Sequence, residues 1–164
     1  GPFKKLWRLM YDRLVNHHKL NNLIWVWTSQ AGFDDLCNAY VADSAWYPGD
    51  EYVDVVARDN YAALEYPLKK EYDALSAKYP GKIVALAECG NGDEVKMAPW
   101  SEIWNEGSRW CWFMTWYDYS YNAGQSQEHK FAGKEWWTDA FRTAFKPMLD
   151  KTYKYVLTKN NKVL

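Results

Sequence analysis

With 164 residues and a net charge of −1, the chain has room for one domain with a sizeable core, and it carries no basic field of the kind that binds nucleic acid or an anionic membrane. Its apolar runs are far shorter than the ~20 residues of a membrane-spanning helix, and no signal peptide is recognisable. Three cysteines are too few and too scattered for a disulfide framework or a Cys-x-x-Cys metal site, so we expect buried thiols.

The first half of the chain predicts a helix followed by two strands. Apolar residues recur at helical spacing over residues 2 to about 18, which indicates an amphipathic helix. The β-branched and aromatic run at residues 23–28 predicts the first strand. We expect a short helix over residues 33–40, a turn at 46–50 and the second strand over 52–57.

The second half predicts two further strands with helices between them. An apolar stripe over residues 68–79 predicts a helix that Pro80-Gly81 ends, and the third strand, 82–87, is apolar on both faces like a buried parallel strand. A short helix is expected over 99–105, ended by Gly107. The fourth strand is expected over 110–116.

A last helix is expected over residues 137–144, with a second amphipathic stretch after Pro147. Strands and helices that alternate in this way are typical of right-handed parallel βαβ units. Either half of a closed barrel or a small doubly wound sheet fits this order. A doubly wound sheet usually has a glycine-rich first turn, and none is present here. We therefore predict an α/β half-barrel, whose open edges another half must cover.

Polar and aromatic residues follow each predicted strand directly, whereas the opposite ends carry turn residues. In a barrel the chemistry gathers at the carboxy ends of the strands. This pattern places a carboxylate, a tyrosine, an arginine and tryptophans around one opening. The four strand ends are Trp27-Thr28-Ser29-Gln30, Arg58-Asp59-Asn60-Tyr61, Glu88-Cys89-Gly90 and Trp116-Tyr117-Asp118.

Glu88 is the strongest catalytic candidate because it ends an apolar strand, where a carboxylate is costly unless it has a partner or a task. A retaining glycosidase needs two carboxyl groups about 5–5.5 Å apart, one as nucleophile and one as acid/base. Glu88 fits the nucleophile, with Tyr61 donating a hydrogen bond that orients it. The alternative is a structural carboxylate that bridges to Arg58.

The aromatic content, 18% with 11 Trp and 13 Tyr, favours sugar binding, since the apolar faces of sugar rings pack on indole. Trp116 is expected to form the floor of the subsite beside the cleaved bond. Trp27 and Trp112 are further platform candidates, and for Trp27 and Trp116 the alternative is barrel filling. Other candidates for substrate binding are Arg58, Asn60 and Asp118.

Four other polar residues are expected to be structural. Asp50 and Glu51 precede a strand and so lie at the wrong end of the sheet for catalysis. His17-His18 suits the negative end of a helix dipole. We predict no metal site there, because too few further ligands are near in sequence.

Six stretches of the sequence, in this order, carry a resemblance to a known family: LVNHH at 14–18, NLIWVW at 22–27, WYPGD at 46–50, RDNY at 58–61, AECG at 87–90 and WFMTWY at 112–117. They resemble glycoside hydrolase family 26, which consists largely of endo-β-1,4-mannanases. The resemblance implies a (β/α)₈ barrel and a retaining double-displacement mechanism.

By position, the resemblance implies that Glu88 is the nucleophile at the end of strand seven. Tyr61 matches the tyrosine after strand six that contacts the nucleophile, and Trp116 matches the tryptophan of strand eight under the sugar. Residues 1–164 would form one partial catalytic domain, strands five to eight, with Gly1-Pro2 compatible with the remnant of a cleaved tag.

The family's acid/base glutamate lies after strand four, before the first residue of this sequence. We therefore expect the chain alone to be inactive, and to need the amino-terminal half of the barrel or a second copy of itself. The expected reaction is cleavage of internal β-1,4 linkages in mannan, without metal or organic cofactor. The expected location is secreted, periplasmic or at the cell surface, as is usual for the family.

Two other functions remain open from the sequence. One is a non-catalytic sugar-binding or structural half-barrel that has kept the aromatic platforms and lost the chemistry; a half-barrel fragment made to study fold assembly is a separate alternative. The other is a related activity on mixed-linkage β-glucan or β-1,3-xylan, because the loops around the subsites decide which sugar is bound.

Overall fold

The computed structural model describes residues 1–30, 43–61, 67–90, 97–115 and 132–145. These residues form a four-stranded parallel sheet in the order β1-β2-β3-β4, with helices between the strands, which confirms the predicted parallel α/β arrangement. The strands are β1 (Val26–Gln30), β2 (Val55–Asn60), β3 (Ile83–Cys89) and β4 (Phe113–Thr115). The helices are α1 (Pro2–Tyr11), α2 (Asp43–Trp46), α3 (Leu68–Lys78), α4 (Trp100–Asn105) and α5 (Lys134–Ala140).

The first helix is longer than α1 alone, because a π-helical segment, Asp12–His17, continues it. Two side chains of α1 fix it to the segment before β2. Trp7 Nε1 donates to the carbonyl of Tyr52 at 3.0 Å, and Arg8 donates to the carbonyl of Pro48 through Nε at 2.8 Å. The helix predicted over residues 2–18 is therefore present, with a change of winding in its second half.

The first two strands begin and end later in the sequence than predicted, β1 by about three residues and β2 by three. Backbone pairing causes the shift: the carbonyl of Trp25 accepts from the amides of Asp54 and Val55, and a 3₁₀ turn, Asp50–Tyr52, occupies residues assigned to the second strand. The polar residues at the predicted strand ends consequently lie inside the strands. Alternation along the strand then decides the face of the sheet on which each one lies.

One face of the sheet packs against the helices. Trp27, Val56 and Val84 lie side by side on this helix-packed face, since Trp27 pairs with Val56 and Val56 with Val84. They share a core with residues of the helices, namely Leu75, Trp100, Ile103, Trp136 and Ala140. Phe113 of β4 packs against the same core through the rings of Trp100 and Trp136.

The other face, which we call the second face, carries smaller side chains. Its buried residues are Val55, Ala57 and Ala85, and Val26, Ala87 and Trp112 pack against them. Small residues here leave room for other groups above the sheet. The carboxy end of this face is where the predicted active site lies.

The predicted helix 68–79 is present as α3, and Gly81, with φ of 83°, follows its end. The predicted helix 99–105 is present as α4, and Gly107, with φ of 98°, closes it in a conformation that favours glycine. The turn expected at 46–50 is shorter than predicted, because the helix Asp43–Trp46 includes its first residue and the 3₁₀ turn Asp50–Tyr52 includes its last. The predicted helix 33–40 and the stretch after Pro147 lie outside the described residues.

Two expectations about burial and membranes can be compared with the structure. Cys89 is buried as predicted, but Cys111 is exposed, so the prediction that all the thiols are buried is wrong for Cys111. None of the helices in the described ranges is long and apolar enough to cross a membrane.

Leu75 is fully buried in α3, between the helix and the sheet. We expect Leu75→Ala to lower the free energy of unfolding by about 2–5 kcal/mol, through lost apolar burial and the cavity left behind. Leu6→Ala is a matched control, because Leu6 is 57% exposed, and its effect should stay within about 0.5 kcal/mol. Urea unfolding measures both; equal effects would contradict this placement of the core.

Candidate active site

A β-bulge in β3 determines where Glu88 lies. Arg58 pairs with Leu86 and Asp59 pairs with Glu88, so β3 has one more residue than β2 between the two pairs, and that residue is Ala87. Leu86 belongs to the helix-packed core, and strict alternation would place Glu88 on the same face. The extra residue shifts Glu88 to the second face instead, which is how bulges re-aim side chains beside active sites.

Three polar residues form an in-register row across the second face. Gln30 pairs with Asp59, and Asp59 pairs with Glu88. Each is the last or next-to-last residue of its strand, and parallel strands place these ends at the same edge of the sheet. The structure therefore brings an amide and two carboxyl groups together at the edge where barrel enzymes hold their chemistry.

The hydroxyl of Tyr61, the first residue after β2, donates a hydrogen bond to Glu88 Oε2. This is the contact that the sequence analysis expected between these two residues. Burial, followed by this hydrogen bond and the charge of Glu88, raises the pKa of Tyr61 far above its usual value. Tyr61 therefore stays protonated and remains a donor throughout the physiological pH range.

Asp59 was missed as a site residue, although it lies beside Glu88. Burial, followed by the charge of Glu88, raises the pKa of Asp59 to about 6, although the Arg58 guanidinium opposes the rise. Its Oδ1 atom is buried without a hydrogen-bond partner among the described residues. The signal in the sequence that could have identified Asp59 was its position near the end of β2, where it pairs with Glu88. That pairing depends on the bulge at Ala87.

The raised pKa of Asp59 makes stability depend on pH. The protonated acid is favoured in the folded state, so its contribution to stability is fully present below about pH 4 and is lost as the pH rises through about 6. Asp59→Asn cannot ionise, so we expect it to be more stable than the parent protein at pH 8 and nearly equal to it at pH 4. Urea unfolding at both pH values measures the difference. A stability difference that does not change with pH would contradict this assignment.

Arg58 lies on the helix-packed face rather than at the candidate site. Its Nε is 2.9 Å from Glu71 Oε2 on α3, and the side chains of this ion pair are only 9% and 13% exposed. Its Nη1 donates to Ser29 Oγ at 2.5 Å. The predicted role of Arg58 in binding substrate is replaced by a structural one, because alternation along β2 turns it towards α3.

Removing one partner of this buried pair leaves the other charge unpaired. We expect Arg58→Met to destabilise the fold by roughly 3 kcal/mol, and Arg58→Met with Glu71→Leu to recover most of that loss. Lys69→Ala is the control, since it breaks an exposed pair with Asp73 and should cost less than about 1 kcal/mol. Denaturant unfolding gives all three values, and a double variant no better than Arg58→Met alone would argue against the pair.

Trp27 and Asn60, both predicted to bind substrate, also lie on the helix-packed face. Trp27 is 1% exposed, and its ring packs against the rings of Tyr47 and Tyr79 at 5.1 and 5.8 Å. Asn60 is fully buried and pairs with Cys89, which belongs to the same core. Neither side chain is exposed to a sugar in this arrangement, so we assign both to the core.

The remaining predicted residues are placed as follows. Trp112 is half-buried and packs on the second face, the face that carries Glu88. Trp116 and Asp118 lie outside the described residues, so their predicted roles stay predictions. Asp50 accepts a hydrogen bond from the Tyr47 hydroxyl at 2.8 Å, at the amino end of β2, as expected of a structural residue. The described part of the chain contains no group of three side chains that could hold a metal ion.

Comparison with protein families and curated proteins gives one consistent result. The family model described as Glycosyl hydrolase family 26 matches residues 1–144. A mannan endo-1,4-β-mannosidase of Thermothelomyces thermophilus is 38% identical over 119 residues, which are 71% of this chain and 21% of that protein. Mannan endo-1,4-β-mannosidase A of a Piromyces species is 33% identical over 113 residues, 68% of this chain and 16% of that protein.

Solved structures agree with these relatives. The family 26 domain of an endo-β-mannanase/endo-β-glucanase from Prevotella bryantii superposes with a TM-score of 0.67 and 36% identity, covering 86% of this chain and 38% of that one. A β-mannanase from a symbiotic protist of the termite Reticulitermes speratus, complexed with gluco-manno-oligosaccharide, gives a TM-score of 0.57 and 28% identity over the same shares. The chain thus spans well under half the length of the proteins it matches.

Proposed function

Because the chain belongs to glycosyl hydrolase family 26, we propose that it supplies the nucleophile of a retaining endo-β-1,4-mannanase. The observation that carries the proposal is the hydrogen bond from Tyr61 to Glu88, on the second face at the carboxy ends of the strands. A carboxylate held by a tyrosine at that edge has the position and the partner that a glycosidase nucleophile needs.

In the proposed reaction Glu88 attacks the anomeric carbon of the sugar, and the glycosidic bond breaks as a covalent glycosyl-enzyme forms. A second carboxyl group protonates the leaving oxygen and then takes a proton from water, which releases the sugar with its original configuration. Tyr61 holds the attacking carboxylate in place. The acid/base glutamate, which the resemblance places after strand four, comes from outside this chain.

We propose that the amino-terminal half of a (β/α)₈ barrel supplies that group by docking on the outer edge of β1, with which no described strand pairs. The apolar residues Leu6, Leu9 and Met10 of α1 are 57%, 57% and 48% exposed, and Ile24 before β1 is 73% exposed. Burying these residues against further helices and strands would remove a large apolar surface from water. A second copy of the chain is the alternative occupant.

The proposed substrate is β-mannan, because the two relatives described above are named mannan endo-1,4-β-mannosidases. Trp112 on the second face, together with Trp116, is proposed to support the sugar rings. Export to the cell surface or beyond is proposed with it, since an enzyme that cleaves an insoluble polysaccharide must reach it.

Hydrolysis of mannan by the chain alone, by the chain with the upstream segment and by the full-length enzyme tests this function. We expect activity only where the upstream segment is present, with β-configured reducing ends appearing first in proton NMR spectra. Sedimentation would show whether the chain alone forms a dimer. Absence of hydrolysis by the full-length enzyme on mannan, β-glucan and β-1,3-xylan would favour a non-catalytic sugar-binding role. Products of inverted configuration would contradict the role of Glu88.

A further inference from the structure

We propose that Gln30 is a specificity-determining residue of this cleft, and that its amide and the carboxyl group of Asp59 together bind one hydroxyl of the sugar that Glu88 attacks. This inference rests on the proposed function and adds a recognition site to it. It follows from the position of Gln30 in β1, from the burial of the Asp59 carboxyl oxygen Oδ1 and from the hydrogen-bonding chemistry of hydroxyl groups.

The position of Gln30 places it in the row that contains the nucleophile. Gln30 is the last residue of β1 and pairs with Asp59, which pairs with Glu88. Alternation from Val26, which packs on the second face, brings residue 30 to that face as well. Gln30 is half-buried, and β1 lies at the edge of the described sheet. Its amide is therefore in the same row as the carboxyl groups of Asp59 and Glu88 and still reachable by a ligand.

The neighbouring Asp59 has a carboxyl oxygen that needs a hydrogen-bond donor. Its Oδ1 is buried and has no hydrogen-bond partner among the described residues. A buried acceptor without a partner is costly, and such atoms at functional sites are commonly satisfied by a ligand. A group that can donate a hydrogen bond to Oδ1 from the cleft would remove that cost.

A sugar hydroxyl meets both side chains at once. It donates one hydrogen bond and accepts others, whereas a glutamine amide nitrogen donates and a carboxylate oxygen accepts. Neighbouring strands lie about 4.8 Å apart, and a hydroxyl oxygen with two hydrogen bonds of about 2.8 Å joins partner atoms at about that separation. An apolar aglycone or a methylated sugar position would not satisfy the pair.

The test combines Gln30→Leu in the full-length enzyme with dinitrophenyl β-mannosides that lack one hydroxyl each, at C2, C3, C4 or C6. With the parent enzyme, we expect one deoxy substrate to lose about tenfold or more in kcat/KM because Oδ1 of Asp59 is left unpaired. Gln30→Leu should lower kcat/KM about tenfold for the intact substrate, and by much less for that one deoxy substrate.

Thr28→Val is the matched control. Thr28 is exposed on the same face two residues earlier in β1, and its replacement should leave the pattern across the four substrates unchanged. If Gln30→Leu lowers kcat/KM equally for all substrates, or for none, the inference about Gln30 is overturned. An inactive parent enzyme would instead contradict the proposed function, so the two failures are distinguishable.

Discussion

Replacing Glu88 by alanine in the full-length enzyme is expected to reduce hydrolysis of mannan by on the order of 10⁴-fold or more, because it removes the carboxylate that we propose forms the covalent intermediate. With a dinitrophenyl β-mannoside, whose leaving group needs no protonation, added azide should restore part of the rate. Azide would attack from the side that Glu88 occupied, so the product should be the α-mannosyl azide. Mass spectrometry and NMR identify it.

The control for this variant is Glu102→Ala, which removes an exposed carboxylate from α4 and should leave the rate within about twofold of the parent. The hydrolysis rate of Tyr61→Phe should lie between those of the two other variants, about 10²-fold below the parent. This change removes the hydrogen bond that holds Glu88 but leaves the carboxylate. If azide raised the rate of Glu102→Ala but not that of Glu88→Ala, Glu88 would not be the nucleophile.

Deleting Ala87 is the second variant with a large expected effect. Without the extra residue, β3 pairs regularly with β2, and the glutamate directly follows Leu86. It therefore stays on the second face opposite Asp59, but it loses the local bend and twist by which the bulge aims it. We expect activity to fall by about 10²-fold or more, because a displacement of the nucleophile by about 1 Å is enough for a loss of that size. We expect only a modest loss of stability, about 1 kcal/mol, because regular pairing moves no carboxylate into the apolar core.

A matched control keeps the extra residue. Ala87→Ser changes the same position without removing the bulge, so activity and stability should both stay close to those of the parent protein. Urea unfolding and mannan hydrolysis measure the two properties. If the deletion alone keeps activity, the bulge does not position Glu88 and this account of the site is incorrect.

Part of the fold could be read from the sequence because it depends on local signals. The helices over 68–79 and 99–105 carry apolar spacing and glycine or proline boundaries, and the structure contains both. The candidate catalytic residue was identifiable because Glu88 follows a wholly apolar run, and a carboxylate in that place is costly without a role. The proximity of Tyr61 and Glu88 followed from the rule that parallel strands end at one edge.

The faces of the strands could not be read in the same way. β3 is apolar on both faces up to Ala87, and β2 has three apolar residues followed by three polar ones, so neither sequence alternates in a way that distinguishes the helix-packed face from the second face. Arg58, Asn60 and Trp27 were therefore grouped with the site, although they face the helices. The bulge at Ala87 has no glycine or proline to announce it, and so Asp59 was missed.

The central claim is that Glu88 becomes covalently bonded to the sugar, and trapping that intermediate tests it most directly. Dinitrophenyl 2-deoxy-2-fluoro-β-mannoside slows the release of the glycosyl-enzyme, so the full-length enzyme should accumulate one fluorosugar per molecule. Peptide mass spectrometry is predicted to place the sugar on Glu88. A label on Asp59 or another residue, or hydrolysis of mannan by an enzyme that never becomes labelled, would contradict the claim.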